Sequence, residues 1–193
     1  AASDVYKRQG LIPKGGRRLV SQCGIFEYEG RFIMITDAAI NIAPDVETQI
    51  GIVENALPVA RALGVECPKV AVLSAVENVT DKMPSTVTAR EIAERGVEGC
   101  VISGPLALDG AISMESVKHK AIKDPVAGQA DILLVPFIEI GNVLYKACSY
   151  IAGKTMASTI CGASCPVIIT SRADTPDSKY YSILMAVLRC LKA

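Results

Sequence analysis

The chain has no tryptophan, three phenylalanines and one histidine among its 193 residues. That histidine, His119, sits between Lys118 and Lys120 on a charged stretch, so a Ser-His-Asp hydrolase is not expected. An excess of either charge is also missing. Twenty basic side chains balance twenty acidic ones, which excludes binding to nucleic acid by bulk positive charge. The longest uncharged run, 155–171, is broken by Gly162, Pro166 and several hydroxyls, so no membrane-spanning helix is expected. Nothing reads as a charged-then-apolar leader, and the expected location is the cytoplasm.

Paired cysteine motifs are absent too. Cysteines stand at 23, 67, 100, 148, 161, 165 and 190 with no Cys-x-x-Cys among them. Cys161 and Cys165 have no second pair to complete a structural zinc site, so all seven are read as buried reduced thiols and no metal is expected. No Gly-x-Gly-x-x-Gly occurs, which counts against a dinucleotide fold. Gly153-Lys154-Thr155 looks like the tail of a phosphate loop. Cys148 occupies the place of its first glycine, and the stretch falls within a predicted helix, so that reading is rejected.

What is present is apolar. Half the residues are hydrophobic and the mean hydropathy is +0.35, enough for a sizeable core and at most two ordinary domains. Residues 1–9 contain Asp4-Val5-Tyr6-Lys7-Arg8-Gln9, the in-frame translation of a widely used sequencing-adapter end, and are expected to be an assembly scar outside the fold. From Arg31 onward, short runs rich in Val and Ile alternate with longer amphipathic ones. Strands are predicted at 32–35, 70–76, 100–103, 132–135 and 167–170, apolar on consecutive positions as in a parallel sheet buried on both faces. One helix is predicted behind Asp45, carrying Val46, Ile50, Val53, Leu57 and Ala60 on a single stripe. Others are predicted at 86–95 before Gly96, at 114–121 and at 142–158. A last helix places Tyr181, Leu184, Leu188 and Leu191 on one face. The alternation specifies an α/β protein with a mainly parallel sheet.

Ligands of such sheets bind beyond the carboxyl ends of the strands. The loop after the last predicted strand, Thr170-Ser171-Arg172-Ala173-Asp174-Thr175-Pro176-Asp177, carries an arginine beside hydroxyls at the opening of a helix. A guanidinium there suits a phosphate or another oxyanion, although a surface ion pair would also account for Arg172. Asp174 and Asp177 either cap the helix or supply a base. Lys14, Arg17 and Arg18 are read as a solvated basic loop.

Several segments together resemble the phosphate acetyl/butyryltransferase family, and its butyryl branch most. They are Thr36-Asp37-Ala38-Ala39-Ile40-Asn41-Ile42-Ala43-Pro44, Pro68-Lys69-Val70-Ala71-Val72-Leu73-Ser74-Ala75-Val76-Glu77, and Gly104-Pro105-Leu106-Ala107-Leu108-Asp109 with Ala111-Ile112-Ser113. Pro125-Val126-Ala127-Gly128-Gln129-Ala130-Asp131-Ile132-Leu133, Gly141-Asn142 and Ser171-Arg172-Ala173-Asp174 complete the set.

The resemblance implies a three-layer α/β/α fold of the isocitrate/isopropylmalate dehydrogenase kind, with two domains and a cleft. Residues 10–158 would be the second, inserted domain. Residues 159–193 would be the returning strand and helix of a first domain whose beginning is absent. It further implies acyl transfer between CoA and phosphate, with acyl-CoA and phosphate as substrates and no bound cofactor. The acyl group would be butyryl; an acetyl-specific enzyme, or a truncated chain that only binds CoA or phosphate, is the alternative. Arg172 would hold the phosphate, Ser171 would hydrogen-bond the same group or the oxyanion, and Asp177 would take the thiol proton. Asp37, Ser103, Gly104, Asp109, Asn142 and Asp174 are the expected substrate contacts. The family's habit implies a homo-oligomer in the full-length form.

Overall fold

The structure, a computed structural model, describes residues 19–170 and 174–191. Six strands, β1 (Ser21–Tyr28), β2 (Arg31–Thr36), β3 (Lys69–Leu73), β4 (Val101–Leu106), β5 (Ile132–Leu134) and β6 (Ala157–Cys161), form one sheet in the order β4-β3-β5-β2-β1-β6. β1 runs antiparallel to both its neighbours, and the other pairings are parallel. Register explains the consecutive apolar residues. Met34 lies beside Ile132, which lies beside Val70; one step on, Ile35, Leu133 and Ala71 make the next row. The first row packs under α1 (Val46–Ala62), α2 (Pro84–Arg95) and α6 (Pro176–Leu191). The second packs under α3 (Leu108–Ile112), α4 (Met114–Lys120) and α5 (Ile138–Lys146). Both faces are covered, giving the three-layer α/β/α arrangement expected from the sequence.

Local signals set the helix ends. Asp45 caps α1 by accepting the Thr48 N–H at 2.8 Å, and Gly96, at φ 68°, follows α2. No helix among the described residues is long and apolar enough to cross a membrane.

Besides the unpredicted short helix α3 and a third strand that ends at Leu73, the structure departs from the predicted elements in four larger ways. The helix predicted at 142–158 begins earlier and stops sooner: α5 runs Ile138–Lys146, a π-helical turn follows at Ala147–Ile151, and the chain then extends into β6. The strand predicted at 167–170 amounts to one bridge, Val167 to Ile160. β1 is absent from the predicted strands, because Ser21, Gln22 and Gly24 hide its pattern. Finally, of the predicted stripe Tyr181, Leu184, Leu188 and Leu191, α6 packs Leu188 against the core and leaves the other three exposed. It buries Ser178, Ser182, Met185 and Ala186, while Tyr181 and Leu184 are half exposed and Leu191 is 79% exposed.

The expected boundary between residues 158 and 159 falls inside β6, all of which pairs with β1. Cys23 and Cys161 are buried, but Cys67, Cys165 and Cys190 are exposed, two of them in connecting segments and the third on the outer side of α6. Residues 1–9 and the cluster Lys14, Arg17 and Arg18 lie outside the described residues.

Candidate active site

The loop leaving the carboxyl end of β2 is fastened by its own aspartate. Asp37 is only 2% exposed, and its carboxylate accepts the backbone N–H groups of Ala39 at 2.9 Å, Ile40 at 3.1 Å and Asn41 at 3.1 Å. The Asn41 amide reaches both that carboxylate and, at 2.9 Å, the carbonyl of Val20 ahead of β1. Burial pushes the Asp37 carboxyl up from its ordinary range, against the pull of these donors. With its oxygens so occupied, Asp37 builds the loop and leaves Ala38, Ala39 and Ile40 to face the cleft beside it.

α5 closes the other wall. Gly141 lets the helix approach closely, since a Cβ there would lie 2.7 Å from the Asp37 carbonyl oxygen and 2.9 Å from the Ala38 Cα. Asn142 follows, its side chain donating to the Ala38 carbonyl at 3.3 Å. Tyr145 lies over Gly24 of β1, where a Cβ would come within 2.6 Å of the ring. Burial first, and then the charge of Asp174, hold the Tyr145 phenol above its ordinary range, so it stays a neutral O–H donor.

Between these walls lies a cleft of about 280 Å³, floored by Gln22 of β1 and by Ser158 and Ile160 of β6. Tyr145, Lys146, Ile169, Thr170 and Asp174 complete it. Of the residues predicted from sequence, the structure thus gathers Asn142 and Asp174 here, over the loop that Asp37 holds. Ser171 and Arg172, between Thr170 and Asp174 in the chain, lie outside the described residues.

Three predicted contacts sit elsewhere. β4 and β1 are four steps apart in the sheet, about 19 Å at the usual strand spacing. Ser103 on β4 hydrogen-bonds Asp124, and Gly104 is buried where a Cβ would meet Val72 at 2.8 Å. Asp109 pairs with Lys120 at 2.9 Å, a contact that lowers its carboxyl, and Lys120 also reaches Glu77 at 3.0 Å. Asp177 is exposed on the first turn of α6 and does not line the cleft. Ser178 beside it is buried, accepting the Met156 N–H at 3.3 Å.

Gln22, Tyr145, Lys146 and Ser158 line the cleft without being legible as site residues in the sequence. Two lie on strands that the apolar pattern does not reveal. The other two lie on the later turns of a helix whose sequence motif, Gly141-Asn142, marks only its first half.

Comparison with known proteins points the same way as the strand-end motifs. The profile described as phosphate acetyl/butaryl transferase matches residues 7–187. A phosphate butyryltransferase of Clostridium acetobutylicum is 44% identical over 177 residues, covering 89% of this chain and 59% of that protein. A phosphate acetyltransferase of Thermotoga maritima is 44% identical over 186 residues, covering 94% and 63%. This chain therefore spans about three-fifths of the length of these curated relatives. The crystal structure of a branched-chain phosphotransacylase from Enterococcus faecalis V583 superposes with a TM-score of 0.86 at 40% identity, over 94% of this chain and 66% of that one. Motifs, fold and sequence similarity over nearly the whole chain agree, and the chain belongs to the phosphate acetyl/butaryl transferase family.

Proposed function

We propose that this chain carries part of the active site of an acyltransferase that moves an acyl group between CoA and inorganic phosphate. In one direction a phosphate oxygen attacks the thioester carbonyl, a tetrahedral oxyanion forms, and the CoA thiolate leaves. In the other, the CoA thiol gives up its proton and attacks the acyl phosphate, which expels phosphate. No acyl-enzyme is needed, so no cysteine has a catalytic part.

One observation carries this reading. Asp174, two positions beyond Arg172, borders the same cleft as Asn142. In this scheme Arg172 grips the phosphate with its two-pronged donor set, and Ser171 donates to the same group or to the oxyanion. The thiol proton goes to one of the two carboxylates beyond Arg172, of which Asp174 borders the cleft and Asp177, the base the sequence suggested, stands exposed outside its lining. Ile40, Ile160 and Ile169 line the cleft and favour a butyryl over an acetyl chain. Completion of a first domain by the segment from 159 onward belongs to the same proposal, and so do a homo-oligomeric full-length protein and a cytoplasmic location. The exposed α6 side chains Ile183, Leu184 and Val187 support that completion.

The test is release of CoA from butyryl-CoA and from acetyl-CoA, with phosphate present or withheld, using this chain and the full-length protein. Phosphate-dependent release, faster with butyryl-CoA, is expected of the full-length protein. Arg172→Ala is expected to raise the barrier by about 2–4 kcal/mol. Release that ignores phosphate overturns the reading.

A further inference from the structure

Gln22 is 5% exposed and lies on the floor of the cleft. Its Nε2 donates to the Ser158 hydroxyl at 2.8 Å, and its backbone carbonyl accepts from the Thr36 hydroxyl at 3.0 Å. Among the described residues its Oε1 has no hydrogen-bond partner. A buried amide oxygen left without a donor costs about 1–3 kcal/mol, so the residue is held in place at some expense. Gln49 also leaves its Oε1 unpartnered, but it lies on α1 beneath the sheet and borders none of the cleft.

The donor inventory of the substrates narrows what Gln22 meets. Acyl phosphate offers almost only acceptors at neutral pH, and a hydrocarbon acyl chain offers neither donor nor acceptor. Inorganic phosphate keeps a P–O–H but carries a negative charge that a guanidinium suits better than a neutral carboxamide oxygen. The thiol of CoA is a weak donor whose proton is taken by a base in the reaction. The pantetheine arm is different, because its two amide groups each carry an N–H. We infer that the Gln22 carboxamide, anchored by Ser158, accepts an amide N–H of the pantetheine arm and so sets how far the thiol reaches toward the phosphate. This rests on the acyl-transfer reading above and adds to it a residue that discriminates the CoA arm from phosphate.

The test is titration of the ¹⁵N-labelled chain with pantetheine, with CoA and with inorganic phosphate separately. The Gln22 side-chain amide pair is identified as the signals missing from Gln22→Met, a substitution of similar length. Pantetheine and CoA are expected to shift that pair, and phosphate alone to leave it in place. Gln22→Met is expected to weaken CoA binding about 5- to 30-fold, the loss of one such hydrogen bond, without changing phosphate binding. A pair that moves with phosphate, or stays still with pantetheine, overturns the inference, and the wild-type titration decides this even if the variant misfolds. Phosphate-dependent CoA release by the full-length protein, with the Gln22 signals unmoved by pantetheine, would remove this inference alone. Release that ignores phosphate would remove the acyl-transfer reading itself.

Discussion

The Ser158 backbone N–H donates to the Ser182 hydroxyl at 2.9 Å, joining the edge strand β6 to the helix that covers it. The Met156 N–H finds Ser178 at 3.3 Å, and the Ile160 N–H finds the Val167 carbonyl at 3.0 Å. Three alternate amides of an exposed edge are thus closed without another strand, and Arg189 adds a bond to the Ile160 carbonyl at 2.9 Å. Ser182→Ala should cost about 1–3 kcal/mol, because it leaves the buried Ser158 amide unpaired. Urea denaturation measures this. A midpoint equal to that of the wild type would show that another group takes over.

Gly141→Ala should be more disruptive than a surface helix substitution, which would ordinarily be neutral or stabilising. The new methyl group meets backbone on the Asp37–Ala38 loop, and backbone cannot swing aside as a side-chain tip can. A cost of about 1–3 kcal/mol is expected, with α5 displaced and the Asn142 bond to Ala38 lengthened. Thermal unfolding checks the first part and a crystal structure of the variant the second.

Asp37→Asn retains one acceptor for Ala39 and Ile40 but turns an N–H₂ toward the Asn41 donors. The variant should be less stable by about 1–3 kcal/mol at low pH. Burial raises the wild-type carboxyl, so ionising it works against folding once the pH passes the unfolded value near 4. The wild type alone carries that penalty, so the gap between the two proteins should narrow as pH rises through the carboxylate range. Parallel denaturation curves from pH 3 to 7 read this directly, and a gap that widens would contradict the direction of the shift.

Thiol chemistry should separate the cysteines into classes. Cys67, Cys165 and Cys190 are exposed and should be alkylated first. A hydrogen bond with Cys161, together with burial, raises the Cys23 thiol well above its ordinary value. Burial raises Cys100 to about 11 and lifts Cys148 as well. Cys23 and Cys161 are buried and should resist iodoacetamide until the chain is unfolded, as peptide mass spectrometry would show.

The sequence is most readable where periodicity and capping agree. α1, with its Asp45 cap and apolar stripe, and the central strands β2, β3 and β5 stand close to their predicted places. Reading fails where polar residues do buried work. Ser178 and Ser182 look like the outer face of α6, yet they face the sheet because strand edges need acceptors as much as apolar cover. β6 merges into a predicted helix because Ala157, Ser158 and Thr159 carry no strand pattern by themselves. The candidate site is partly legible: the loop that Asp37 holds, Asn142 and Asp174 emerge from strand-end motifs. Ser103, Gly104 and Asp109 obey the same sequence logic, but sheet order carries them to the far edge.

Among the described strands, β1 alone runs against the rest of the sheet. Where every other strand delivers its exit to the binding side, β1 delivers its entrance, and the second residue of that entrance is Gln22. A search limited to strand exits passes over it. In an architecture of this handedness, one reversed ribbon brings into the pocket a side chain that the usual geography of parallel sheets assigns to the back.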